Sequence, residues 1–148
     1  MSRALYIATG EAESGNSIIT LGLMGILLGR TKKVVYFRPI IEATDQSKKD
    51  NHIETVLSHF KLEMDYEDCY ALTSAEVIHK KTNDREGEIL DIIIKKYKAL
   101  EDKFDFILVE GTDFSGEAAF VELDINAVIA KNLGIPVILV GTGKDKNL

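Results

Sequence analysis

One cysteine, Cys69, stands among the 148 residues, and no cysteine and histidine share a metal-site spacing. A lone thiol cannot close an intrachain disulfide, so a disulfide framework is excluded, and a structural zinc site falls with it. An excess of positive charge is also missing. Lys and Arg number 18 against 24 Asp and Glu, for a net charge of -6, whereas a nucleic-acid-binding domain needs a basic face to neutralise phosphates. No long hydrophobic run is present either. The most apolar stretch, Ile18 to Gly29, spans 12 residues and contains three glycines, short of the about 20 residues that a membrane-spanning helix requires. Nor does the N-terminus read as a secretory leader, because the five apolar residues Ala4 to Ala8 lead straight into a Gly-rich turn. These absences point to a reducing, cytoplasmic setting, with neither nucleic acid nor membrane as a partner.

What is present suffices for one hydrophobic core: 45% of the residues are apolar, and residues 1–148 read as a single domain. Arg3 to Thr9 carries Leu5, Tyr6 and Ile7 side by side, the pattern of a strand buried on both faces. Ile18 to Arg30, apolar nearly all round, reads as a buried helix. Val34 to Phe37 is a second strand, expected to stop at Arg38-Pro39 because proline cannot donate to a ladder. Residues 40–51 read as a polar loop, Asn51 to Phe60 as a short helix, and residues 61–83 show no clear pattern. Ile89, Ile92, Ile93, Tyr97 and Leu100 mark a helix from Asp84 to Lys103, with Asp84 as a possible cap. Phe104 to Val109 is a third strand. Val121 to Leu133 is a helix closed by Gly134, and Ile135 to Val140 is a fourth strand.

Strands that are apolar throughout, alternating with helices, predict an α/β fold in three layers, a parallel sheet with helices on both faces. Right-handed crossovers place every strand's C-terminal end on one edge, where such folds bind ligands. Residues 10–17, 38–51 and 110–118 gather there. The chain reaches Leu148 just past a strand with no covering helix, which reads as a fragment of a longer polypeptide.

Between the first strand and first helix, Gly10-Glu-Ala-Glu-Ser-Gly15-Asn16-Ser17 fits the phosphate-loop pattern G-x-x-x-x-G-K-[ST] except at one position. The context makes this a P-loop NTPase-like fold signal. Gly10 and Gly15 would let backbone N–H groups converge on phosphate oxygens, and the Ser17 hydroxyl would face magnesium. Asn16 replaces the lysine that would neutralise the outer phosphates. Glu11 and Glu13 add negative charge, and one misplaced charge at about 6 Å and an effective dielectric near 20 costs about 2–3 kcal/mol. Mg-ATP binding is therefore weakened, and phosphoryl transfer more so, because that chemistry rests on electrostatic stabilisation.

Glu110 follows the third strand, where a P-loop protein holds its magnesium carboxylate; the alternative is an ordinary strand-end acid. Arg38 closes the second strand at the same edge and would contact a phosphate or carboxylate, or else is a surface arginine in a rigid turn. Asp50 is either a second metal ligand or a helix cap. Ser17, Asp50 and Glu110 thus form a conditional magnesium set. His52 and His59, seven residues apart, read as a solvated pair. His79 has no visible partner, and nothing around Cys69 would activate its thiol. Lys144 and Asp145 follow the fourth strand, where some nucleotide-binding folds read the base. No catalytic residue is assigned.

The strand into Thr9-Gly10, the turn with Ser14-Gly15 and Ser17, Leu21-Gly22, Phe37-Arg38-Pro39-Ile40, Val109-Glu110-Gly111 and Ile135 to Val140 together resemble the N-terminal domain of long bacterial phosphate acetyltransferases. That domain is in turn similar to dethiobiotin synthetase, a P-loop enzyme. The resemblance runs from residue 1 to about 143. In dethiobiotin synthetase the loop lysine and hydroxyl bind ATP and magnesium, a lysine before proline contacts the reacting carboxylate, and the glutamate of Val-Glu-Gly helps hold metal. Ser17 and Glu110 match in type, Arg38 keeps the charge without the amine, and Asn16 departs. The phosphate acetyltransferase resemblance implies a regulatory or assembly module, with acetyl transfer in a C-terminal catalytic domain as its partner, and a homo-oligomer. A dethiobiotin-synthetase-like Mg-ATP-dependent ligase and a stand-alone pseudo-ATPase that binds a partner are the alternatives.

Overall fold

In the computed structural model, residues 3–9, 16–42, 49–112 and 119–140 are described, with the side chains of Thr9, Asn16, Ser17 and residues 119–124 left aside. Five strands, β1 (Arg3–Thr9), β2 (Val34–Ile41), β3 (Tyr70–Thr73), β4 (Phe106–Glu110) and β5 (Val137–Val140), form one sheet in the order β3-β2-β4-β1-β5. Every pairing is parallel. The helices are α1 (Asn16–Leu28), α2 (Asn51–Phe60), α3 (Ser74–Thr82), α4 (Glu86–Glu101) and α5 (Ala119–Leu133).

Adjacent apolar residues in the strands go to opposite cores, which is why these strands show no polar alternation. Tyr6, Val35, Phe37 and Ile107 pack with Ile93 and Tyr97 of α4 and Ile129 of α5. Ile7, Tyr36 and Leu108 pack on the other face with Met24 of α1 and Ile53 and Val56 of α2. The expected three-layer α/β architecture is thus observed.

Four local readings are corrected. β2 does not stop at Arg38-Pro39 but continues to Ile41. Its pairing with β4 ends at Phe37, and Arg38, Ile40 and Ile41 are in register with Tyr70, Leu72 and Thr73 of β3, so the missing N–H of Pro39 falls outside the β4 ladder. The facing also slips there: Val35, Phe37 and Ile40 share one core while Tyr36 and Ile41 share the other. Residues 61–83 hold a 3-10 turn (Tyr66–Cys69), β3 and α3. A reciprocal Thr73–Glu76 capping box starts α3. Asp84 does not cap α4. It lies at φ 55° and Arg85 occupies the cap position, since an aspartate tolerates the left-handed turn that separates α3 from α4. Finally, α1 is not buried all round, because Ile18, Ile19 and Ile26 are exposed. Gly134, at φ 68°, ends α5 as expected.

Candidate functional site

The carboxyl ends of β2 and β4 lie side by side, and the first turn of α2 packs over them. Ile7 is in register with Glu110, and Leu108 with Tyr36, so Glu110 and Tyr36 share the face that α1 and α2 cover. Glu110 is fully buried. The Tyr36 hydroxyl donates to its Oε2, and Nδ1 of His52 lies 3.6 Å from its Oε1. The reading of His52 and His59 as one solvated pair is therefore corrected: His52 turns inward to Glu110, whereas His59 lies edge-on to Phe60. Placing His52 in the first turn of a helix capped by Asp50 aims it at the strand ends.

Arg38 and Asp50 make the second half of the site. Arg38 is buried, and its Nη1 donates to Asp50 Oδ2 at 2.8 Å while its Nη2 donates to the Gly111 carbonyl at 3.3 Å. Nε of Arg38 is buried with no hydrogen-bond partner among the described residues. Asp50 Oδ1 accepts from the backbone N–H of Ile53 at 3.0 Å and so caps α2. Its own N–H donates to the Tyr66 hydroxyl at 2.6 Å.

The segment after β4 is clamped by residues that the sequence alone did not single out. Gly111 N–H donates to Ile7 O at 2.8 Å, and Thr112 Oγ1 donates to Ile40 O. Tyr6 donates its hydroxyl to Asn126 Oδ1 at 2.5 Å, and Asn126 Nδ2 donates to Thr112 O at 3.4 Å. A Cβ on residue 111 would lie 2.5 Å from Asn126 Oδ1, so glycine is required there by close approach. Burial raises the Tyr6 phenol well above its ordinary value, against a smaller opposing effect of the Arg38 charge.

Between α1 and α2 lies a cavity of about 180 Å³ lined by Thr20, Tyr36, His52, Thr55, Val56 and Glu110. Thr20 Oγ1 is buried beside it with no hydrogen-bond partner among the described residues. Of the expected phosphate-binding residues, Gly10 and Gly15 lie outside the described residues, as do Glu11, Glu13, Lys144 and Asp145. Asn16 and Ser17 open α1, with their side chains outside the description.

Arg38, Asp50 and Glu110 are thus brought to one sheet edge, with both acids engaged inside the protein, while the Ser17 side chain of the expected magnesium set lies outside the described residues. Asp50 is compensated by a buried guanidinium and committed to a helix cap, and Glu110 is engaged by Tyr36 and faced by His52. Among the described residues, no group of three His, Cys, Asp or Glu side chains is placed to hold a metal ion.

A family model described as an AAA domain matches residues 3–148. A phosphate acetyltransferase of Nitratidesulfovibrio vulgaris is 45% identical over 146 residues, which is 99% of this chain and 21% of that protein. One from Synechocystis sp. is 40% identical over 148 residues, again 21% of its length. The ATP-dependent dethiobiotin synthetase BioD of Clostridium kluyveri is 28% identical over 118 residues, 76% of this chain and 49% of that protein. The chain therefore spans 21% of the phosphate acetyltransferases it matches.

Proposed function

We propose, from the premise that this chain belongs to the AAA domain family matched by its residues 3–148, that it is a regulatory or assembly domain of a phosphate acetyltransferase. In this reading the transfer of an acetyl group between acetyl-CoA and phosphate is performed by a C-terminal catalytic domain of a larger cytoplasmic enzyme. This chain stands at its N-terminal end. The observation that carries the non-catalytic reading is that both acids at this edge are engaged within the protein, Asp50 by Arg38 at 2.8 Å and Glu110 by the Tyr36 hydroxyl, with Nδ1 of His52 3.6 Å from it. Substituting Asn16 for the loop lysine removes charge from the same edge. Identities of 45% and 40% across 99% and 100% of the chain support the parent enzyme.

The experiment is a pair of assays. The 148-residue protein is given acetyl-CoA and phosphate, and separately Mg-ATP; neither acetyl phosphate nor ADP should form. Acetyl phosphate formation by this chain alone overturns the division of labour. ADP formation dependent on a carboxylic acid favours the dethiobiotin-synthetase-like ligase, the reading supported by the 28% identity to the Clostridium kluyveri protein and by the Nε of Arg38, which has no partner among the described residues. A stand-alone partner-binding pseudo-ATPase would give the same two negative results, but its gene would encode no acetyltransferase domain.

A further inference from the structure

On the face of the sheet covered by α3, α4 and α5, the helices leave a cleft of about 240 Å³ at Ile40, walled by Val77, Ile89, Ile125, Val128 and Ile129. An apolar cavity of about 150 Å³ holds a benzene-sized group, so this one has room for an aliphatic side chain. Ile78 of α3 stands outside the cleft and is 65% exposed, and Val128 at its wall is 44% exposed. A small molecule held in the cleft would leave Ile78 bare, whereas a protein surface laid across the helices would cover both.

Two charges of opposite sign border the same cleft, Lys81 in the last turn of α3 and Glu86 in the first turn of α4. Both are exposed, and neither makes an ion pair among the described residues, although Lys80 and Arg85 beside them are both taken by Glu88. On α3, Lys81 lies four residues after Val77 and three after Ile78, which places it between the cleft wall and the exposed isoleucine. One face thus carries an apolar projection and an apolar hollow, together with a cation and an anion. A twofold contact sets one patch against itself, so each feature must find its complement on the same surface. This patch meets that condition.

We propose that the α3–α4–α5 face is where two copies of this chain associate, Ile78 of each copy entering the cleft of the other and Lys81 of each meeting Glu86 of the other. The apolar contact supplies the affinity, and the charge pairs at its rim set the register and exclude other alignments. This deepens the proposed function and rests on its assembly reading, but it needs nothing of the acetyltransferase parentage.

Sedimentation equilibrium of the 148-residue protein from about 1 μM to about 1 mM tests it. The mass should rise from one chain to two. Ile78→Lys should move the midpoint of that rise up by about 10-fold or more, as should Lys81→Glu and Glu86→Lys separately, because each sets like charges or a charge against an apolar hollow. The melting temperature of each variant at the lowest concentration should match that of the unmodified protein, since all three positions are exposed. Mixing Lys81→Glu with Glu86→Lys in equal amounts should restore the two-chain mass, because both contacts of the mixed pair then join opposite charges. A one-chain mass throughout the range overturns the proposal and leaves the cleft to a small ligand or a different polypeptide. A two-chain mass that Ile78→Lys does not disturb also overturns it, placing the contact on another face, and failure of the mixture to associate overturns the twofold pairing. Acetyl phosphate formation is read in a separate assay, so the acetyltransferase reading and the dimer can fail independently.

Discussion

Arg38 and Asp50 join the carboxyl end of β2 to the first turn of α2 through a buried ion pair of 2.8 Å. Both oxygens of the aspartate are engaged, one by the guanidinium and one by the N–H of Ile53. Two residues that suit ligand binding when read singly are thereby bound to each other. The same holds for Glu110, whose carboxylate meets Tyr36 and His52 inside the protein.

Removing one partner of the first pair should be costly. Arg38→Met leaves a buried carboxylate uncompensated and should destabilise the protein by about 3–5 kcal/mol. Arg38→Lys keeps the charge but loses the fork that reaches both Asp50 and the Gly111 carbonyl, and should cost less. Urea unfolding midpoints compare the two variants.

Tyr36→Phe deletes the hydroxyl that donates to Glu110 and should destabilise by about 1–3 kcal/mol, because a fully buried acceptor loses one hydrogen bond. In the Glu110→Gln background the same substitution should cost less, since no charge is left to compensate. A double-mutant cycle reads the difference.

Two glycines should respond in opposite directions. Gly111→Ala forces a methyl group to within 2.5 Å of Asn126 Oδ1 and 3.1 Å of Tyr6 Cε1, and should destabilise by about 1–3 kcal/mol while displacing the Tyr6–Asn126 hydrogen bond. Gly22→Ala, within α1 and with no described atom inside 4 Å of the added one, should stabilise by about 0.8–1 kcal/mol through helix propensity alone. Thermal melts of the two variants provide the check.

Alkaline pH should weaken the fold. Burial pushes the Cys69 thiol from 9.0 up to about 12, and burial followed by the Glu101 charge pushes Tyr97 from 10.0 up to about 12. Both groups hold their protons more tightly folded than unfolded. Their stabilisation is complete below the unfolded values and is lost as pH rises from about 9 towards 12. The urea midpoint should fall across that window, and Cys69→Ala with Tyr97→Phe should flatten the fall. At neutral pH, iodoacetamide should leave Cys69 unmodified in the folded protein.

The central strands are legible in the sequence because both faces of each are apolar: Tyr6 and Ile7, Val35 and Tyr36, Ile107 and Leu108 each divide between two cores. β3 is not, because Tyr70-Ala-Leu-Thr73 is four residues long and runs from a 3-10 turn directly into a helix without glycine or proline. Thr73-Ser-Ala-Glu76, a capping-box spacing, is the signal from which α3 could have been found. Arg38, Asp50 and Glu110 stand out because Arg38 precedes a proline at the end of an apolar run, Asp50 begins a helix and Glu110 ends a strand. Their pairing does not stand out, since it depends on how α2 lies over β2 and β4. Tyr36 and His52 escape sequence reading for the same reason: their contacts with Glu110 span 74 residues and 58 residues of chain, respectively.

The most direct test of the account is calorimetric titration of the unmodified protein with Mg-ATP beside Asn16→Lys. No detectable heat is expected for the unmodified protein, with a gain of nucleotide binding in the lysine variant, as for a fold whose phosphate loop carries Asn16 in place of lysine. Micromolar binding of Mg-ATP by the unmodified protein would contradict it.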